Sequence, residues 1–231
     1  MNLYAAGWFA FQDPNMSACT AAAARSMLNF IAYRHLGGSG FRWSMTNSGS
    51  VRDMILAWER AHDTLPGGTG SDPHGWRNAL NFFGWGEGTL DAGYRVYDDR
   101  AYGTYENAVR SAIRQMVWTK KPVGLLGWRG GHSQIMTGYY GLRGNPFARD
   151  STGKYLNRFT VTGFYITDPL RKSGIVNKAV SWSTLKSTTN YKLRFQPYYQ
   201  RDSTQDDPYT PGFIPARDEW YGKFVLILPF R

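Results

Sequence analysis

The spacing of apolar and polar positions changes character near Lys120, from helical repeats before it to short apolar runs after it. The run Ala21-Ala22-Ala23-Ala24 has high helix propensity and leads toward Tyr33, with Ala24, Met27, Leu28 and Ile31 recurring as a buried stripe. Ser17 or Asn15 can cap the start of this helix, and Gly37-Gly38 can end it. Cys19 therefore falls in the first turn of a largely buried helix. A second helix is predicted over 51–62, with Met54, Ile55, Trp58 and Ala61 on one face. A third is predicted over 76–83 with Asp72 as a cap, after a loop at 66–71. A fourth covers 105–119, with Ala108, Ala112, Ile113, Met116 and Val117 inward.

Beyond Pro122 the runs at 121–128, 133–140, 159–167 and 223–228 read as strands, with a weaker one at 191–198. Gly130-Gly131 separates the first two, and the Pro, Asp and Thr content of 202–215 predicts a surface loop. Helices first and strands later predict an α+β fold in a single domain. Its helical part is expected at about 12–120 and its antiparallel sheet at about 121–231.

The 231 residues are 42% hydrophobic and 19% charged, which excludes disorder for want of core material. A net charge of +10 favours anionic partners in general. No basic run exceeds two adjacent residues, as in Lys120-Lys121 and Arg171-Lys172. The charge is therefore read as a solubilising surface, and nucleic acid is not an expected partner. No apolar run approaches the ~20 residues that span a bilayer. The first eleven residues carry no positive charge before their apolar stretch and do not read as a secretory signal. Abundant Gly, Thr, Ser, Asn, Trp and Tyr with little Glu and Lys resembles an extracellular or cell-surface bacterial domain.

Cys19 is the single cysteine, so its chemistry cannot be an intramolecular disulfide. A thiol becomes a nucleophile when its thiolate is stabilised, and a helix N-terminus and a nearby imidazolium both do this. Four histidines are on offer. His35 and His62 fall at helix ends and His74 in a turn into a helix. His132 follows a double glycine between two strands and is the candidate base. A catalytic imidazole needs an orienting partner. Asp168, in Ile166-Thr167-Asp168-Pro169, ends the next strand, and a hairpin pairing would bring it to His132. Gln12 precedes Cys19 by seven residues and could supply an amide to an oxyanion site beside the Cys19 backbone N–H. A serine triad on Ser133 is not expected, because neighbours on a strand point to opposite faces. No cofactor is expected. A zinc site would need several Cys or His ligands, and no two histidines are neighbours in the sequence.

These pieces resemble the papain-like cysteine peptidase superfamily: Gln12-Asp13 ahead of Cys19 at a helix start, then His132, then Asp168 before Pro169. Lys121-Pro122-Val123, Gly131-His132-Ser133 with Gly138-Tyr139, and the helical stretch 76–84 are similar to its bacteriocin-leader-peptidase-like branch, over about 12–169. The resemblance implies a papain-like fold and a thiol-based site with Cys19, His132, Asp168 and Gln12 in those roles. The activity expected of such a site is cleavage of an amide bond in a peptide or protein through an acyl-thioenzyme. Thr20 stands where the family usually has glycine, and the glutamine-to-cysteine spacing is one residue longer than its commonest form. Acyl transfer on the same residues, or a non-catalytic module for an anionic or peptide ligand, are the alternatives that this pattern leaves open.

Overall fold

The computed structural model describes residues 1–35, 48–64, 69–91, 93–187, 193–200, 209 and 216–231. Helix α1 (Cys19–His35) is the centre of the molecule. Every side chain from Thr20 to Ala32 is buried: most of the run is small or apolar, and it also encloses Arg25, Ser26 and Asn29. Helices α2 (Ser48–Ala61) and α3 (Pro73–Trp85) pack against it. Asp72 caps α3 by accepting a hydrogen bond from the Gly75 N–H, and Pro73 occupies the first helical position, where its missing N–H costs nothing.

The sheet is built from β1 (Tyr97–Tyr102), β2 (Val123–Gly127), β3 (His132–Tyr140), β6 (Gly163–Thr167), β7 (Lys178–Ser181) and β8 (Phe224–Pro229). Helix α4 (Tyr105–Thr119) lies between β1 and β2 in the chain, and β4 (Arg143–Gly144) with β5 (Phe159–Thr160) forms a separate two-stranded ribbon. Two short helices complete the described chain, α5 (Trp182–Lys186) and α6 (Ala216–Glu219). The strand order is β1-β8-β2-β3-β6-β7, and every pairing within this sheet is antiparallel.

Helices therefore sit on an antiparallel sheet in an α+β arrangement with two large cores and a smaller cluster of Ala5, Phe9 and Phe30. Alternate residues of β8 serve both: Val225 and Ile227 face α1 to α3, while Leu226 and Leu228 face α4. Trp76 is fully buried over Gly124, where an added Cβ would come within 2.5 Å of its ring. Only glycine lets α3 approach the sheet this closely. No helix among the described residues is long and apolar enough to cross a membrane.

Several expectations are corrected. In α2 the buried face is Arg52, Ile55, Leu56 and Glu59, whereas Met54 is 44% exposed and Ala61 also faces outward. The rotation follows from polar partners. Arg52 donates to the Gln12 and Asp13 carbonyls at 2.7 and 2.8 Å, and Glu59 accepts from Thr20. Strand β1 lies inside the part read as helical, and β7 was not anticipated. The strand expected at 159–167 is divided between β5 and β6. Residues 193–198 form no strand beyond an isolated bridge from Tyr198 to Tyr221. The proposed stop at Gly37-Gly38 and nearly all of 202–215 lie outside the described residues.

Candidate active site

Cys19 is the first residue of α1, where the backbone N–H groups of the opening turn have no carbonyl to bond within the helix. A compact turn delivers it there. Asn15 accepts from the Ser17 N–H at 3.1 Å, and the Gln12 amide donates to the Met16 carbonyl at 2.9 Å. His132 opens β3 after a tight turn in which Trp128, Arg129 and Gly130 all adopt left-handed backbone (φ 53°, 58° and 93°). Two of these residues are not glycine, so the turn stores strain next to the histidine. Asp168 follows β6, and the antiparallel register Ile135↔Thr167 carries it to the His132 end of β3.

The His132 Nε2–H donates to Asp168 Oδ1 at 2.7 Å. Asp168 has no exposed surface and accepts two further bonds, from Gln134 Nε2 and the Leu170 N–H, each at 2.7 Å. Gln134 reaches it because residues two apart on a strand share a face. With Nε2 committed, Nδ1 is the nitrogen left for the thiol. The Trp128 ring packs on the imidazole with centroids 4.5 Å apart.

Electrostatics fit a thiolate–imidazolium pair. Burial works to raise the Cys19 pKa, but hydrogen bonding and charge from His132, with help from Ser133, bring it below the ordinary thiol value. Burial works to lower His132, and the bonds to Asp168 and Cys19 outweigh it, pushing the imidazole up to about 9. Each group thus favours the charged form of the other.

Cys19, His132, Thr20, Ser133 and Tyr198 line one cavity of about 400 Å³, within the range of small-ligand sites. The structure thus brings together three of the four residues singled out in the sequence. Gln12 differs: it is buried, does not line the cavity, and spends its amide on the Met16 carbonyl. It braces the turn before Cys19 instead of pointing into the site. Ser133, expected to face away, lies close enough to lower the thiol, through its side chain and its backbone. Glu59, on the face of α2 that was not expected to be buried, is fully enclosed beside Thr20. Gln134 was legible as the second residue after His132 on a period of two, whereas nothing in the sequence marked Glu59.

A second titratable cluster joins His74, Asp99 and Glu219, whose ligating atoms lie within 4.8 Å of one another. Asp99 already accepts from Arg77 and from Trp220 Nε1, and His74 Nδ1 faces Thr64 Oγ1 at 3.0 Å. Burial would raise Asp99, but the Arg77 guanidinium, and after it His74, hold it well below the usual carboxylate range. With a guanidinium already among its donors, this group is a buried ionic network tying α3 to β1 and α6, and it is a poor cage for a cation.

Compared with protein-family models, with curated proteins and with solved structures, the chain has no match in any of the three.

Proposed function

We propose that this chain is a papain-like cysteine hydrolase that cleaves an amide bond in a peptide or protein through an acyl-thioenzyme. The observation that carries the reading is Cys19 at the head of α1, facing a buried histidine held by Asp168 at 2.7 Å. The order Cys, His, Asp and the helix-against-antiparallel-sheet layout agree with it.

In the proposed reaction the Cys19 thiolate attacks the carbonyl carbon, and the carbonyl π pair moves onto oxygen. Backbone N–H groups at the start of α1 face the developing charge. As the oxyanion collapses, the C–N bond breaks and the proton on His132 Nδ1 goes to the leaving amine. Neutral His132 then takes a proton from water, whose oxygen attacks the thioester and releases the acid. The thiolate and imidazolium return to their starting state. Asp168 keeps its charge and holds the ring in one orientation throughout.

The test is the rate of Cys19 alkylation by iodoacetamide between roughly pH 4 and 9, with the His132→Ala variant beside it. Fast alkylation persisting below about pH 6 and lost in the variant is the expected result. A rate that climbs only near the free-thiol pKa of ~8.5, and is unchanged by the substitution, refutes the pair and returns the chain to the binding-module alternative.

A further inference from the structure

The positive charge of the chain is not spread evenly. Residues 107–200 hold fifteen of the 27 Lys and Arg and two of the 17 Asp and Glu, a net charge of +13 against −3 for the rest of the chain. Of those two carboxylates, Asp168 is buried on His132. Asp150 accepts from the Thr152 N–H and hydroxyl and from the Lys154 N–H, all within its own loop. The cations gather where α4 meets the β4–β5 ribbon. Arg114 donates from Nε to the Pro146 carbonyl at 2.8 Å and also bonds Asn157. Its guanidinium lies over the Tyr155 ring at 4.1 Å, and that of Arg149 lies over the same ring at 3.9 Å. Burial lowers the Arg114 pKa, and the Arg110 and Arg149 charges press the same way. Arg143, Lys154 and Arg158 of the ribbon are exposed. Among the described residues, no ion pair joins any of these six cations to a carboxylate. Glu106, one turn before Arg110, is taken by Lys186 at 2.6 Å.

Like charges crowded without a counter-ion favour an anionic partner. Two exposed aromatic side chains border the same cluster. Trp118, 61% exposed, lies one turn beyond Arg114 on the outer face of α4, and Phe147, 37% exposed, follows Pro146 in the loop that Arg114 holds. Cations beside exposed Trp and Phe are the composition of a surface that meets lipid headgroups. A single-stranded nucleic acid would need rings on which successive bases stack. Here Tyr155 is already covered by two guanidiniums, and the two exposed rings stand on separate elements. We propose that this face docks on an anionic lipid surface, with the guanidiniums on the headgroup phosphates and Trp118 and Phe147 in the interfacial layer. None of these residues lines the Cys19 cavity, so the docking surface is independent of the proposed chemistry.

The test is co-sedimentation of the whole chain with phosphatidylcholine vesicles, with and without phosphatidylglycerol. Binding to the anionic vesicles alone, weakened as salt rises from about 0.05 to 0.5 M, is the expected result. A variant combining Arg143→Gln, Arg149→Gln, Lys154→Gln and Arg158→Gln changes exposed side chains only. It should bind at least ~100-fold more weakly, at about fivefold per charge. Trp118→Gln leaves the charge unchanged and should weaken binding about tenfold, the effect of withholding one large apolar side chain from the interface. Near-UV circular dichroism checks that each variant is folded. If the parent chain fails to bind anionic vesicles, or binds neutral ones equally well, the proposal is overturned whatever the variants do. Parental binding by the fourfold variant overturns it too. So does parental binding by Trp118→Gln, and retention of the chain on duplex DNA at the same salt would then assign the face to soluble polyanions.

Discussion

Replacing Asp168 by Asn removes one negative charge from a fully buried position while keeping its shape. An asparagine oxygen at Oδ1 retains both the His132 Nε2–H and the Leu170 N–H, now at 2.7 Å. Its Nδ2 then meets Gln134 Nε2, which donates to Oδ2 at 2.7 Å in the parent, and the Gln134 amide must turn its oxygen inward to avoid two facing donors. The lost charge has no such remedy. His132 is raised from 6.5 to about 9, a preference for imidazolium of about 3 kcal/mol at ~1.4 kcal/mol per pKa unit. Burial opposes that rise, and the bond to Asp168 is the largest favourable contribution, ahead of those from Cys19. Removing an opposite charge at this range lowers a pKa by ~1–3 units, so His132 in Asp168→Asn should titrate lower by that amount. Ring-proton NMR across roughly pH 5 to 10 reads this directly. Only four histidines are present, and His132→Ala identifies the resonance. The sign for stability follows: the folded pKa lies above the unfolded one, so the His132 contribution is complete below 6.5 and disappears as pH rises through about 9. A parental midpoint near 6.5, or one unmoved by the substitution, would refute the account of the dyad.

Trp76→Ala, which empties the space over Gly124, should cost ~3–5 kcal/mol by denaturant unfolding; a loss under ~1 kcal/mol would contradict the packing of α3 on the sheet. Asp72→Ala removes the α3 cap to Gly75 and also the acceptor for the Thr64 N–H and hydroxyl. The loss expected is ~2–4 kcal/mol, and an ordinary exposed-cap value of ~0.5 kcal/mol would mean the Thr64 bonds are not made. Gly130→Ala places a Cβ at φ 93° within 2.4 Å of the Tyr198 ring. It should destabilise by ~1–3 kcal/mol and push Tyr198 from the cavity wall, whereas unchanged stability would mean that the ring does not sit there.

The parts of the fold that were legible are those whose burial is carried by apolar side chains. The alanine run announced α1 and placed Cys19 at its head, Asp72 announced the cap of α3, and the apolar spacing of α4 held residue by residue except at Val117, which is only half-buried. His132 and Asp168 were legible because a glycine pair and a proline punctuate the ends of their strands. What escaped has charge in the interior. Strand β1 reads Tyr-Asp-Asp-Arg-Ala-Tyr, and its inward Asp99 is invisible as a core position until Arg77 and Trp220 are brought to it from elsewhere in the chain. The face of α2 was misread for the same reason: Arg52 and Glu59 point inward to partners some forty residues away, and Met54 is left outside. Gln12 was read as an amide donor for the oxyanion site, whereas its amide meets the Met16 carbonyl, because spacing along the chain does not tell which carbonyl an amide will meet.

The strand order has a consequence for the life of the chain before it is finished. β8 lies between β1 and β2, so the edge carrying β1 joins the rest of the sheet through a segment made more than a hundred residues later. Hairpin β2–β3 and its neighbour β6 can pair as soon as they emerge, yet one whole flank of β2 stays unpaired until residues 224–229 are available. A nascent chain on the ribosome therefore carries a thiol and a histidine on scaffolding that is still open, and such long-range closure is slow. The proposed activity should therefore appear only once that strand has been inserted.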